Sequence, residues 1–173
     1  MPAIAKQLAD VVAQTREIVD SVIWCTVSTV DSTNSPRSRL MHPVWFWESD
    51  TSETSTPVGL VTARTTPLKV RHLAANPTVA CFYWDPNHHT VAIDAAAEWL
   101  DSDARAEAWA AIAAVPEPVG FDPAMIWPDG PNSHGCGIIR LSPFRIVTTP
   151  AGDQASMWSR PEPGPAGAPP NDR

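Results

Sequence analysis

The sequence predicts a mainly β (α+β) fold, an antiparallel barrel with peripheral helices. Three observations carry this. Roughly six or seven short runs are rich in β-branched and aromatic residues, and many are joined by tight turn clusters. Helical periodicity is confined to a few separate stretches that can cover such a sheet. No GxGxxG or Walker pattern offers a competing nucleotide fold.

Ile4, Leu8, Val11, Val12, Thr15, Ile18 and Val19 recur at three- and four-residue steps, which predicts an amphipathic N-terminal helix. Val22 to Val30 then reads as a strand, Asp31 to Pro36 as a turn, and Arg37 to Trp47 as the return strand of a hairpin. On that return strand, alternation places Arg37, Arg39, Met41, Pro43, Trp45 and Trp47 on one face and Ser38, Leu40, His42, Val44 and Phe46 on the other. Glu48 to Pro57 is a polar loop, followed by a strand over Val58 to Ala63.

Thr66-Pro67 starts a short helix, because Thr suits the cap and Pro the first helical position; the helix stops near Asn76-Pro77. Val79 to Trp84 and Thr90 to Leu100 form the next hairpin around Asp85-Pro-Asn87, although the Ala-rich middle of the second run also suits a helix. Asp101-Ser102-Asp103 caps a helix whose Ala104, Ala108, Ala111, Ile112 and Val115 line one face up to Pro116. Pro116 to Cys136 is a loop anchored by Phe121, Met125, Ile126 and Trp127, with the character of a lid. A final strand pair is expected over Gly137 to Val147, around Ser142-Pro143. One domain over residues 1–150 and a flexible Pro, Gly and Ala-rich tail over 151–173 complete the expectation.

Composition narrows the function. Of 173 residues 43% are hydrophobic and only 18% charged, and the net charge of −7 leaves no basic stripe for nucleic acid or an anionic membrane. The three cysteines are widely spaced and fit reduced thiols better than a disulfide framework or a zinc site. With no secretory leader and no bilayer-spanning run, the expected address is the cytoplasm.

Two segments carry candidate chemistry. Thr62-Ala-Arg64-Thr65-Thr66-Pro67-Leu-Lys69 gathers two cations, three hydroxyls and a helix N-terminus, a combination suited to a phosphate. Pro36-Arg37-Ser38-Arg39 places two arginines on one side of a strand, about 7 Å apart. A capped helix with solvated charges, and an edge strand guarded by charge, are the plainer accounts. The residues alone leave both open.

The order of these segments resembles the pyridoxamine 5′-phosphate oxidase-like superfamily of split β-barrel flavoproteins. It runs strand, turn, PRSRLMHP, strand, TARTTPLKVRHLAANP, then a strand ending in FYW and a hairpin, over roughly Ile18 to Val147. The resemblance implies FMN as cofactor, or the deazaflavin coenzyme F-420, whose longer acidic tail suits Arg64 and Arg71. It implies that Arg39 and Lys69, with Arg37 beside them, bind the phosphate. Leu40, Met41 and His42 border the flavin ring, Thr62 and Ala63 flank the ring or ribityl chain, and Thr65 and Thr66 lie near the phosphate. His89 or Thr90 approaches from the facing subunit of a homodimer. One residue more than the family pattern separates Thr62 from Lys69, which leaves the roles of Arg64 and Thr65 open.

Where family members hold pyridoxamine phosphate with an Arg-Leu-His-Asp-Arg type segment, this chain reads Phe144-Arg-Ile-Val-Thr-Thr-Pro-Ala-Gly-Asp. That argues against vitamin B6 oxidation. The resemblance then implies a flavin- or deazaflavin-dependent oxidoreductase passing hydride to a small molecule. The alternative is a non-enzymatic protein that binds or senses flavin or haem. With the cofactor carrying the hydride no catalytic acid or base is assigned, and no metal site is assigned, since neither His88-His89 nor His134 has partners at ligand spacing. Trp45, Trp47 and Trp84 are expected in the core, and Trp127, on the loop, as a candidate ring contact.

Overall fold

Turn chemistry decides where the strands pair. In the computed structural model, which describes residues 3–47 and 56–160, the first hairpin joins β2 (Cys25–Val30) to β3 (Pro36–Met41) in the register Cys25↔Met41 to Val30↔Pro36. The Asp31 carboxylate accepts from the amides of Thr33 (2.8 Å) and Ser35 (2.9 Å) and from the Thr33 hydroxyl, while Asn34 takes a positive φ. These bonds, the Ser35 amide first, hold the Asp31 carboxyl at about 2.

Before this hairpin come β1 (Ile4–Ala5) and α1 (Leu8–Val22), and after it β4 (Val44–Phe46), β5 (Val58–Arg64) and α2 (Pro67–Ala75). The second hairpin joins β6 (Thr78–Trp84) to β7 (Thr90–Trp99). Then follow α3 (Ser102–Ala114), a short 3-10 turn at Pro123–Met125, β8 (Cys136–Thr149) and β9 (Ser156–Ser159).

The long strand β8 is the spine. One edge pairs with β7; the other pairs first with β5 and then with β9. Among the described residues all ladders are antiparallel except β1 with β9. The chain of pairings runs β3, β2, β6, β7, β8, β5, β4. Its two ends, β3 and β4, are joined covalently through His42-Pro43 but form no ladder, so the sheet stays open at that seam. The expected mainly β architecture with helices as covers is what the structure has.

Three local expectations change. The return strand Arg37 to Trp47 is divided at His42-Pro43, because Pro43 has no N–H to donate. The expected strand pair around Ser142-Pro143 is one strand: Asp94 faces Arg145 and Ala95 faces Pro143, so Phe144 bulges and the proline is tolerated there. The segment expected as tail from residue 151 contains β9, whose Trp158 is buried in the core. The expected polar loop over Glu48 to Pro57 lies mostly outside the described residues.

Alternation on β5 and β8 sends side chains into two cores. Val61, Ala63, Ile139 and Leu141 join α1, through Val11, Ile18 and Val19, and the β6–β7 hairpin in the larger one. Leu60 and Ile138 point the other way and pack with Ala108 and Ile112 of α3. That is why these strands read as continuous apolar runs. The Asp101 side chain caps α3 by accepting from Asp103 N and Ala104 N. Trp45 donates from Nε1 to the Tyr83 hydroxyl at 2.8 Å inside the larger core, and its ring stacks on Trp47. Trp84, expected inside, is instead exposed on the outer face of β6. All three cysteines are free and buried. Among the described residues no helix is long and apolar enough to cross a membrane.

Candidate functional site

A cleft of about 580 Å³ opens beside the seam. One wall is the end of β3 and the seam itself: Arg39, Leu40, Met41 and His42. Another is the end of β5 with the start of α2: Thr62, Ala63, Arg64, Thr66 and Lys69. The loop over residues 116–135 supplies Phe121, Met125, Ile126 and Trp127, and Trp24 closes the rim.

The β5–α2 junction is built tightly. Thr65 N donates to Gly135 O, and Thr66 N turns back to Arg64 O. Thr66 occupies the N-cap position and Pro67 the first turn, as the sequence suggested, but the Thr66 side chain makes no capping bond. The Lys69 side chain is buried to 8% exposure and donates from Nζ to Arg64 O at 3.1 Å. Burial, and then the neighbouring Arg39 guanidinium, hold the Lys69 amine below its usual 10.5. An anion favours the charged lysine, so affinity for a phosphorylated ligand is expected to be full while Lys69 is protonated. It should fall as pH rises through the lowered value, before a free lysine would titrate. Binding titrations from pH 7 to 10 check this; a flat profile would remove Lys69 from the anion site.

Gly137 faces this junction from β8. A Cβ there would lie 2.5 Å from Trp99 Cζ3 and 2.7 Å from Thr65 Cγ2. Gly137→Ala is therefore expected to cost about 1–3 kcal/mol through overpacking, read as a lower denaturant midpoint.

The opposite end is aromatic. The His42 ring lies between Trp24 (centroids 5.2 Å apart) and Phe121 (4.9 Å). Its Nε2 sits 2.8 Å from Val119 O and therefore carries the donated proton, which ties β3's exit to the loop. Burial lowers the His42 pKa from 6.5, partly opposed by that carbonyl. Trp24 is presented by a tight turn in which Ile23 takes φ 66° and Trp24 N donates to Val22 O, a strained geometry for a β-branched residue. Within the loop, Asp122 accepts from Ala124 N, Pro123 and Trp127 are buried, and Met125 is 76% exposed.

Of the residues singled out from sequence, Arg39, Leu40, Met41, His42, Thr62, Ala63, Thr66 and Lys69 meet in this cleft. Arg37 does not; it is exposed on β3, opposite Thr29. Thr65 packs toward Gly137 rather than lining the cleft. His89 and Thr90 lie on the β6–β7 hairpin, where His89 Nδ1 is 3.0 Å from the Asp85 carboxylate. Trp24 was missed: within the expected strand Val22 to Val30 it reads as an ordinary strand aromatic, and only the helix end at Val22 places it at the rim. Among the described residues no Asp or Glu lines the cleft.

The fold and cleft define a class: an open, mainly β protein with a groove that is cationic at one end and aromatic at the other. Residues 11–148 match the family model described as pyridoxamine 5′-phosphate oxidase, and the chain belongs to that family. No curated protein matches the chain by sequence. Among solved structures it is similar to a Clostridium acetobutylicum protein related to general stress protein 26 of B. subtilis. That match has a TM-score of 0.64 and 13% identity over 87% of this chain and 94% of that one. A pyridoxamine 5′-phosphate oxidase-related, FMN-binding protein from Nostoc punctiforme matches with a TM-score of 0.54 and 13% identity, over 86% of each chain. A haem-binding protein from Mycobacterium smegmatis matches with a TM-score of 0.60 and 15% identity, over 86% of this chain and 57% of that one. These likenesses are of fold.

Proposed function

We propose that the protein binds FMN in this cleft and acts as an oxidoreductase on a small molecule. One observation carries the reading: among the described residues the groove has Arg39, Arg64 and Lys69 at one end, aromatic and apolar side chains at the other, and no acidic residue between them. That polarity fits a ligand with a phosphate at one end and a planar ring at the other.

In this reading Arg39 and Lys69 hold the phosphate, with Arg64 and Thr66 beside it. Thr62 and Ala63 flank the ribityl chain, and the backbone of Leu40 to His42 borders the ring. Phe121, Ile126 and Trp127 keep water from the ring. When bound, the cofactor supplies the redox chemistry. Coenzyme F-420 meets the same cationic end, where its longer acidic tail would reach Arg64 and, farther along α2, Arg71.

Leu40 on β3, Phe82 and Trp84 on β6, and Trp24 just ahead of β2 are exposed, with Leu40 at 70%. An apolar patch of this kind suits a second copy of the chain, which would bring His89 or Thr90 to the partner's cleft. The three free, buried thiols suit a reducing compartment such as the cytoplasm.

A second reading is binding or sensing of flavin or haem without turnover. It is favoured by His42, the one histidine that lines the cleft among the described residues, whose ring is held in place by Val119 O. The test is a spectrum of the purified protein reconstituted with FMN, F-420 or haem, followed by mixing with a reduced nicotinamide or reduced F-420 and an acceptor. Flavin binding with turnover supports the oxidoreductase. A bound cofactor that never changes redox state supports the sensor, and a protein that takes up none of the three sinks both.

A further inference from the structure

Arg39 is not a free cation on the cleft wall. Its Nη1 donates to Thr29 Oγ1 at 3.0 Å, and the same oxygen lies 3.1 Å from His72 Nδ1. Thr29 is 4% exposed and His72 1% exposed. A guanidinium only donates, so Thr29 accepts from Arg39 and keeps one hydroxyl proton to place elsewhere. His72 Nδ1 at 3.1 Å and Arg37 O at 3.5 Å both lie within reach of that hydroxyl. His72 Nε2 is buried without a partner among the described residues.

Burying an unpartnered ring nitrogen costs stability that an apolar side chain would not. That points to a use for Nδ1. Lys69 and His72 also stand three positions apart on the buried face of α2, so one helix delivers the first cation and touches the support of the second. We infer that Thr29 and His72 are positioning residues. They form a buried relay that holds the Arg39 guanidinium toward the anion-binding end of the cleft, with its other N–H groups left for the ligand.

This rests on the reading of Arg39 and Lys69 as an anion site, so the test separates the two. FMN and riboflavin differ only by the phosphate, and each is titrated into the full-length apoprotein, its Arg39→Ala form and the relay variants. Wild type is expected to prefer FMN, and Arg39→Ala to lose much of that preference. Thr29→Val and His72→Phe should each shrink the FMN-to-riboflavin ratio by about 3- to 10-fold, with riboflavin affinity unchanged. His72→Asn, whose amide can bond Thr29, should restore most of the ratio. Thr29→Val should add nothing in the Arg39→Ala background.

If Thr29→Val weakens both ligands equally, or leaves the ratio intact, the relay is overturned while the anion site stands. If wild type does not distinguish the ligands, or Arg39→Ala changes nothing, the anion site fails and the relay with it. Should His72→Phe not fold, the near-isosteric Thr29→Val carries the test alone.

Discussion

Removing two of the three cations that line the cleft, Arg39→Ala with Lys69→Ala, is expected to abolish most of the preference for FMN over riboflavin. Each substitution alone should weaken FMN by about 1.5–3 kcal/mol, roughly 10- to 150-fold in Kd, the scale of a charge-assisted bond to phosphate. The pair should not behave additively at alkaline pH. Arg39 helps to hold the Lys69 amine below its ordinary value. Once Arg39 is gone, Lys69 keeps its proton more firmly and carries more of the binding. The double variant should then lose more than the sum of the singles wherever Lys69 has begun to titrate in the wild type. Calorimetric titration at pH 7 and pH 9 reads both effects, and unchanged FMN affinity in both singles would place the phosphate elsewhere.

The second large effect is expected at the other end of the groove. Trp127 is buried although it sits in a loop, and it lines the cleft beside Ile126. Trp127→Ala should cost about 3–5 kcal/mol of folding stability, the scale for truncating a buried aromatic. It should also weaken riboflavin and FMN by the same factor, since only ring shielding is lost. Denaturant unfolding reads the first part and paired titrations the second. A change in the FMN-to-riboflavin ratio would contradict this division of the cleft into phosphate and ring ends.

What was legible in the sequence was whatever local chemistry determines. Thr66-Pro67 marked the start of α2 and Asp31 to Pro36 marked the first hairpin because their geometry is encoded within a few residues. Arg39 and Lys69 could be singled out because cations near a strand start and a helix N-terminus have a recognisable use. The family's order of segments then tied them together. Features that depend on partners distant in sequence were not legible. Thr29 and His72 are 43 positions apart and look like unremarkable strand and helix residues until the fold joins them. β9 was hidden in a Pro and Gly-rich stretch, where only Trp158 signalled a buried anchor. Trp84 resembled core because aromatic strand residues usually are, and nothing local tells which face of β6 lacks a cover.

The nine residues of α2 carry a consequence for folding as well as for binding. A helix so short has little stability of its own in water and persists through what it packs against. Here the packing is Lys69, His72 and Leu73. A ligand that engages Lys69 and Arg39 therefore tightens the helix from its exposed end while the Thr29–His72 contact holds it from within. The amide protons of Val70 to Ala75 should exchange with solvent more slowly when the groove is filled.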